Sequence, residues 1–295
     1  MNITSLIVTY NRLDKLKKTI QATLALPFNY IVVVDNASSD GTSEWLKQNS
    51  DERLIIVSSS VNSGGAGGFK HGSEWIVDNL KTDWILFYDD DAYPESHFFD
   101  KVTNSSISEN KVYACNVVDK TGIRCGMNIP WKKYPKGIFS HLRYQTKPHE
   151  YISNGVDRER IISLSFVGML IGFDNLKTYC SYIDESLFIY FDDVYFSYHL
   201  YLNNIIMEFI PNLNIVHDID INGKYMASWK VYYLIRNMLL ANKIFGAKTP
   251  FSKVYLSLRL LKYSLLYVNH PDKKLYIKKF MQGLRDGICY RIRER

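Results

Sequence analysis

The chain has 295 residues, 46% of them hydrophobic and 22% charged, which is enough to bury a substantial core and excludes disordered, collagen-like and small disulfide-stapled classes. Its formal charge of +6 is unevenly spread: residues 222–295 hold 16 basic and 3 acidic side chains, whereas residues 1–221 hold 20 and 27. An acidic body of net −7 is thus followed by a basic end of net +13.

The apolar, β-branched run Ile3 to Val8 predicts a strand, and a helix is expected from about Arg12 to Leu26, closed by Pro27. Ile31 to Val34 predicts a second strand, stopped by the polar turn Asp35 to Thr42, with a short helix near Glu44. Leu54 to Val57 reads as a third strand. A glycine-rich loop, Asn62 to Gly68, is expected to open a helix from Phe69 to Leu80, and Trp84 to Tyr88 reads as a fourth strand ending at Asp89-Asp90-Asp91. Strands alternating with helices imply an α/β fold, a mostly parallel sheet flanked by helices. In such sheets ligands sit at the carboxyl ends of the strands, and the polar clusters Thr9-Tyr10-Asn11-Arg12, Asp35-Asn36, Asn62-Ser63 and Asp89-Asp90-Asp91 all fall there.

Regular patterning fails from Lys120 to Val156, which predicts a long loop carrying Trp131 and Tyr134. Structure is expected to resume over Ile161 to Phe173, with a helix starting near Asp192 and a strand from Asn214 to Val216 delivering His217. From Lys224 the chain reads as helices to Phe245, from Ser252 to Asn269 and from Lys273 to Asp286. The expected division is an α/β body over 1–222 and a helical, basic region over 223–295.

Cys115, Cys125, Cys180 and Cys289 make no C-x-x-C pair, which argues against a zinc site and for reduced thiols. The N-terminus reads as a strand rather than a signal peptide, and no stretch approaches the ~18 apolar residues of a membrane span. The expected location is the cytoplasm, or the periphery of the cytosolic face of the inner membrane.

The triple aspartate carries the sharpest chemical signal. Residues two apart in an extended chain point the same way, so Asp89 and Asp91 can share one ligand while Asp90 turns aside. Two carboxylates suit Mg or Mn, above all when the metal also holds a diphosphate, and a neutral His217 would complete the set. Asp192 and Asp193 open a helix, where a carboxylate is stabilised in the charged form that a general base requires. The glycines of Asn62 to Phe69 match neither a dinucleotide nor an ATP-binding spacing, but they allow a ligand to approach the backbone at Gly64 and Gly65.

Taken together, these residues resemble family 2 glycosyltransferases with the A-type nucleotide-sugar fold (GT-A), over roughly residues 1–240. Val8 to Arg12 looks like the opening motif of that family. Val34 to Thr42 looks like its second-strand motif, Asp89-Asp90-Asp91 like its metal-binding D-x-D, Asp192-Asp193 like its Glu-Asp pair and His217 like its late metal-binding histidine. The loop NSGGAGGF at Asn62 to Phe69 and the helix W-x-x-Y-Y-x-x-R-N at Trp229 to Asn237 are similar to those of bacterial galactofuranosyltransferases; rhamnosyltransferases share a related glycine-rich loop. The resemblance implies inverting transfer from a nucleotide sugar, UDP-galactofuranose in the first instance, to a glycan or lipid-linked glycan. It further implies a nucleotide pocket of Thr9, Tyr10, Asn11, Arg12, Asn62, Gly64, Gly65, Asp89 and Asp90, with Asp35 on the uracil. Asp89, Asp91 and His217 would hold the metal, Asp193 would act as base with Asp192 beside it, and Trp131 and Tyr134 would stack on sugars.

The last helices carry Val254, Leu258, Leu261, Leu265 and Val268 at helical spacing among basic residues. This pattern suits either a core-packed helix or an interfacial one drawn to anionic lipid. No nucleic-acid-binding motif accompanies the charge, so nucleic acid is not an expected partner.

Overall fold

The computed structural model describes residues 1–219 and 226–290. By its contacts the chain forms two compact units. The first comprises Met1–Lys132, Ile152–Phe188 and Asp192–Ile219; the second comprises Lys133–Tyr151, Ile189–Phe191 and the chain from Asp220 onward. The expected boundary between residues 222 and 223, and the expected helix start at Lys224, lie outside the described residues.

In the first unit the elements are β1 (Ile3–Thr9), α1 (Leu13–Leu24), β2 (Tyr30–Asp35), α2 (Thr42–Lys47), β3 (Leu54–Ser58), α3 (Gly64–Asn79), β4 (Trp84–Asp89), β5 (Ala92–Pro94), α4 (Phe98–Asn104) and β6 (Lys111–Val118). After α5 (Ile138–Thr146), which belongs to the second unit, come β7 (Glu159–Ile161), β8 (Met169–Gly172), α6 (Phe173–Tyr179), α7 (Asp192–Leu202) and β9 (Ile206–His217). They build one sheet in the order β3-β2-β1-β4-β8-β6-β9-β5, with β7 also on β9. The α/β class with a helix-flanked sheet is as expected. Parallel pairing joins β3, β2, β1 and β4 and recurs between β6 and β9; β8 runs antiparallel to both its neighbours, so the sheet as a whole is mixed. The three-residue β5 is too short to leave a periodic signal.

Alternation along β1 explains why its residues read as one apolar run. Ile3 and Ile7 pack on one face of the sheet with Leu16 and Ile20 of α1, while Leu6 and Val8 pack on the other with Phe69 and Ile76 of α3. The glycine-rich stretch is not a loop, because α3 already begins at Gly64. At Gly68 a Cβ would collide with Val8, and at Gly72 it would meet Leu6 and lie 2.7 Å from Val34, so these glycines let the helix sit close on β1 and β2. The stretch expected as a loop from Lys120 to Val156 likewise contains α5 and the tight helical turns Gly126–Asn128 and Pro148–Glu150.

In the second unit α8 (Ser228–Phe245) and α10 (Lys273–Cys289) are packed through Val231, Ile235, Tyr276 and Phe280, and α9 (Lys253–Leu266) joins them through Leu260 and Tyr263. Asn237 of α8 donates from Nδ2 to the carbonyls of Ile189 and Tyr190 at 2.8 and 2.9 Å. This clamp holds a segment in which Tyr190 and Phe191 have φ of 69° and 67°, costly angles for aromatic residues. Tyr134 is buried edge-on against Phe251 and is core rather than a sugar platform. The apolar row of α9 faces outward, with Leu261 56% and Leu265 60% exposed, whereas Tyr255 and Leu256 provide the buried side. Among the described residues no helix is long and apolar enough to cross a membrane.

Candidate active site

Strand register assembles the site. Thr9 pairs with Asp35 across β1 and β2, and Val8 pairs with Asp89 across β1 and β4, so the three carboxyl ends finish level. The chain then turns into β5, whose Ala92 lies opposite His217 of β9. The Asp218 N–H donates to the Asp91 carbonyl at 2.7 Å and locks this turn. A histidine 126 positions away in the sequence thereby reaches the acidic triplet.

Asp90 points away from the other two aspartates, toward α1. Its carboxylate accepts from Thr9 Oγ1 and Arg12 Nη1, both at 2.9 Å, and its carbonyl accepts from Thr19 at 2.8 Å. Thr9 and Asp90, both expected in a nucleotide pocket, are buried and bonded to each other. Burial, only partly offset by Arg12, pushes the Asp90 carboxyl up to about 7.

Asp89, Asp91 and His217 each offer a ligand atom, and these atoms lie within 4.8 Å of one another. His217 Nε2 is 3.2 Å from Asp91 Oδ1, yet that buried oxygen has no aligned hydrogen-bond donor among the described residues. An orphaned buried carboxylate oxygen beside a second carboxylate and an imidazole fits a divalent cation such as Mg or Mn. Arg12 Nη2 neutralises the other Asp91 oxygen at 2.5 Å. Burial pushes the half-buried Asp89 up to about 6, helped by the Asp91 charge. Burial also pushes Asp91 upward, but His217 and Arg12 outweigh it and hold the carboxyl below its ordinary value. For His217 burial acts downward and is outweighed by the two aspartates, so its pKa is raised.

Around the end of β2, Asp35 is buried and accepts from Ser38 N–H at 2.9 Å and from the Ser43 hydroxyl. Asn11, at φ 51°, accepts from Ser39 N–H at 2.7 Å, while Tyr10 is exposed beside it. Asn36 ties this turn to α3: its Nδ2 donates to the Gly64 carbonyl at 2.8 Å, and its Oδ1 accepts from Ser63 N–H at 3.1 Å. Asn62 Oδ1 accepts from Gly64 N–H at 2.9 Å and shapes the helix start. At Gly65 a Cβ would stand 3.8 Å from Asp192 Oδ2, so the first turn of α3 faces the acidic pair of α7.

Asp192 is buried, and burial raises its pKa well above the carboxylate range, with the Asp193 charge adding to it. Burial also pushes Asp193 up, to about 6, but three donors oppose that shift: Val194 N–H at 2.7 Å, the Ser165 hydroxyl and Phe166 N–H. Asp193 is therefore the better placed of the two to carry a charge and accept a proton. Its field reaches the acidic triplet, since it raises Asp89 in turn.

Sequence reading missed Asn128 and Ser165. Asn128 Oδ1 is 3.1 Å from His217 Nδ1, and Asn128 Nδ2 is 2.9 Å from Ser165 Oγ. Both lie in stretches without periodicity, where no spacing marks one polar residue among many. Trp131 is half-buried and pairs through its backbone with Ile152 and Ser163.

Comparison with known proteins adds an independent line. The family model described as Glycosyl transferase family 2 matches residues 4–160. The low-salt glycan biosynthesis hexosyltransferase Agl10 of Haloferax volcanii is 22% identical over 276 residues, covering 87% of this chain and 82% of that protein. Among solved structures, S. aureus TarS aligns with a TM-score of 0.54 and 17% identity over 93% of this chain, which spans 44% of the TarS chain. A 1-349 form of TarS gives the same score, covering 97% of this chain and 82% of that form. GalNAc-T7, solved with UDP, GalNAc and Mn2+, aligns with a TM-score of 0.61 and 11% identity, covering 98% of this chain and 55% of that one. At such identities the structural likeness is one of fold.

The raised pKa of Asp193 has a consequence for stability. A carboxyl near 3.8 in the unfolded chain and about 6 in the folded one favours folding below pH 4, and that contribution disappears as pH rises through 6. Asp193→Asn is therefore expected to raise the thermal unfolding midpoint at pH 7.5 and to flatten its decline between pH 4 and 6. A lowered midpoint at pH 7.5 would contradict this reading.

Proposed function

Because the chain belongs to glycosyl transferase family 2 and has the GT-A fold, we propose that it moves a hexose from a nucleotide diphosphate sugar to a hydroxyl of a growing surface glycan, with inversion at the anomeric carbon. The observation that carries this reading is the grouping of Asp89, Asp91 and His217 at the strand ends, electrostatically linked to Asp193 at the start of α7. The hexosyltransferase relative in glycan biosynthesis supports a hexose donor, and the GalNAc-T7 complex supports UDP and a divalent cation.

Asp89, Asp91 and His217 would hold the metal, which when bound supplies positive charge against the diphosphate. Asp35, Asn11 and Tyr10 border the end of β2, where the nucleoside would lie. Arg12 holds Asp90 and Asp91 in place through its two terminal nitrogens. Asp193 takes the proton of the acceptor hydroxyl as that oxygen bonds to the anomeric carbon. The bond from that carbon to the diphosphate oxygen breaks on the opposite face, and UDP leaves with the electron pair. A single displacement needs no enzyme nucleophile, so Asp192 remains a buried neighbour of the base.

The donor we favour is UDP-galactofuranose, on the Asn62 to Phe69 stretch and the Trp229 to Asn237 helix; dTDP-rhamnose is the second reading, supported by the related glycine pattern. Because Gly68 and Gly72 also serve helix packing, the helix motif is the stronger of the two supports. With UDP-galactofuranose, UDP-galactopyranose and dTDP-rhamnose compared on one acceptor series, UDP-galactofuranose is expected to turn over at least tenfold faster. NMR of the product should show the inverted linkage. Faster turnover of dTDP-rhamnose would transfer the assignment, and a retained configuration would refute the single displacement.

We further assign the second unit to an anionic lipid surface at the cytosolic face of the membrane. Its described residues carry 16 basic side chains against 3 acidic ones. Ile138, Phe139 and Leu142 of α5 and Leu258, Leu261 and Leu265 of α9 are exposed, and α5 and α9 line an apolar groove of about 500 Å³ that includes Lys253. Two copies meeting through this face would set like charges together, whereas anionic headgroups complement it. The full chain is expected to float with vesicles containing phosphatidylglycerol, and F139S/L261S/L265S is expected to lose most of that binding. Equal flotation of the variant, or equal binding to purely zwitterionic vesicles, would defeat the assignment.

A further inference from the structure

In the second unit α5 and α9 line two adjoining hollows of opposite character, joined at His141 and Leu258. Ile138, Leu142, Val254 and Leu258 wall the apolar groove of about 500 Å³. The other hollow, of about 410 Å³, is lined by Tyr144, Gln145, Arg259 and Lys262. Both volumes fall within the range of small-molecule sites, roughly 300–1,000 Å³. Helical spacing builds the pair. Ile138, His141, Leu142 and Gln145 share one face of α5, and Val254, Leu258 and Lys262 share one stripe of α9. On both helices this face is apolar toward the N-terminus and polar toward the C-terminus, and the change falls at the same level.

The fold does not use the cations of this face. Elsewhere in the unit Arg143 and Lys133 are paired with Glu150, at 2.6 and 3.9 Å, and Arg285 with Asp286 at 2.8 Å. Among the described residues no carboxylate is paired with Lys253, Arg259 or Lys262. Arg259 instead lies over the Tyr255 ring, 5.0 Å from its centroid, a contact that holds the guanidinium in place and leaves its charge unneutralised. His141 stands where the hollows meet, edge-on to Tyr144 and Tyr255 at 6.2 and 6.1 Å. Its Nδ1 is buried and has no hydrogen-bond partner among the described residues, an unmatched polar atom that a ligand would satisfy.

We propose that the two hollows form a binding site for one lipid phosphate, whose hydrocarbon chain lies in the apolar groove and whose terminal phosphate is held by Arg259 and Lys262. The inference rests on the membrane assignment above and deepens it, from attraction of a charged face to one lipid bound one-to-one. A soluble anion would leave the groove empty, and an apolar peptide would leave the cations unpaired; a ligand with both ends uses both hollows. A phosphomonoester, with close to two negative charges, matches two adjacent cations better than the singly charged phosphodiester of bulk lipid.

The two ends of the site are separable in solution. Decyl phosphate, kept below its micelle concentration, is titrated calorimetrically into the full chain without vesicles, beside inorganic phosphate and the uncharged decyl maltoside. Decyl phosphate is expected to bind one-to-one, with each of the other two weaker by about tenfold or more. R259Q/K262Q should weaken decyl phosphate about tenfold or more and leave decyl maltoside unchanged. L142S/L258S, at two exposed positions, should weaken both decyl ligands about tenfold or more. Thermal unfolding reports whether each variant is folded. If R259Q/K262Q is not, the single change K262Q at an exposed lysine carries the decision, with an expected loss of about threefold for decyl phosphate alone. Binding of decyl phosphate no tighter than decyl maltoside or inorganic phosphate, more than one molecule bound per chain, or wild-type affinity in the folded charge variant would overturn the proposal. No membrane is present in this titration. Failure of the chain to float with vesicles while decyl phosphate still binds would therefore count against the membrane assignment and not against the site, and flotation without one-to-one binding would count against the site alone.

Discussion

Like charges crowded at the ends of buried strands are the constraint from which the site follows. Asp89, Asp91, Asp192 and Asp193 interact in a partly buried site, and the cost is visible in the upward displacement of Asp89, Asp192 and Asp193. Arg12 and His217 lower Asp89 as well, but they outweigh burial only at Asp91. Such an arrangement is costly for a fold to keep unless a cation, a proton transfer or both make use of it. Register supplies the strand-end part of it, since three parallel strands finish level and β9 returns beside β5 to bring His217 alongside, while the start of α7 adds Asp192 and Asp193.

Much of this was legible in the sequence because buried parallel strands read as uninterrupted apolar runs that stop abruptly at polar clusters. The runs Ile3 to Val8, Ile31 to Val34 and Trp84 to Tyr88 marked β1, β2 and β4, and the spacing of Asp89 and Asp91 separated them from Asp90. The partners of Asp90 were not legible, since Thr9 and Arg12 belong to a motif that points to nucleotide and nothing in spacing shows a threonine turning inward. The glycines misled for a related reason: a helix that must lie close to a strand needs glycine on its inner face, and in sequence that resembles a loop. Asn128 and Ser165 were invisible because a support residue is defined by what it touches. β5 was missed on length, and α5 because a nine-residue helix inside an irregular stretch leaves too short a period to read.

The charge division along the chain has a structural counterpart. The acidic body contains the carboxylate cluster, and the basic end forms α8, α9 and α10, joined in their unit by α5 with its exposed Phe139. The outward row on α9 is informative because a helix with an ordinary core-packing role would bury those leucines; here Tyr255 and Leu256 take that role. The net charge of the whole chain therefore describes neither unit.

The account stands on the claim that Asp89, Asp91 and His217 bind a cation together with a nucleotide diphosphate. Calorimetric titration of UDP into the full chain, with Mn2+ and then with excess EDTA, tests that claim directly. The account predicts saturable one-to-one binding with Mn2+ and a loss of affinity of at least tenfold in EDTA, with the Mn2+-dependent part absent in Asp91→Ala. Equal UDP affinity in Mn2+ and EDTA would contradict it.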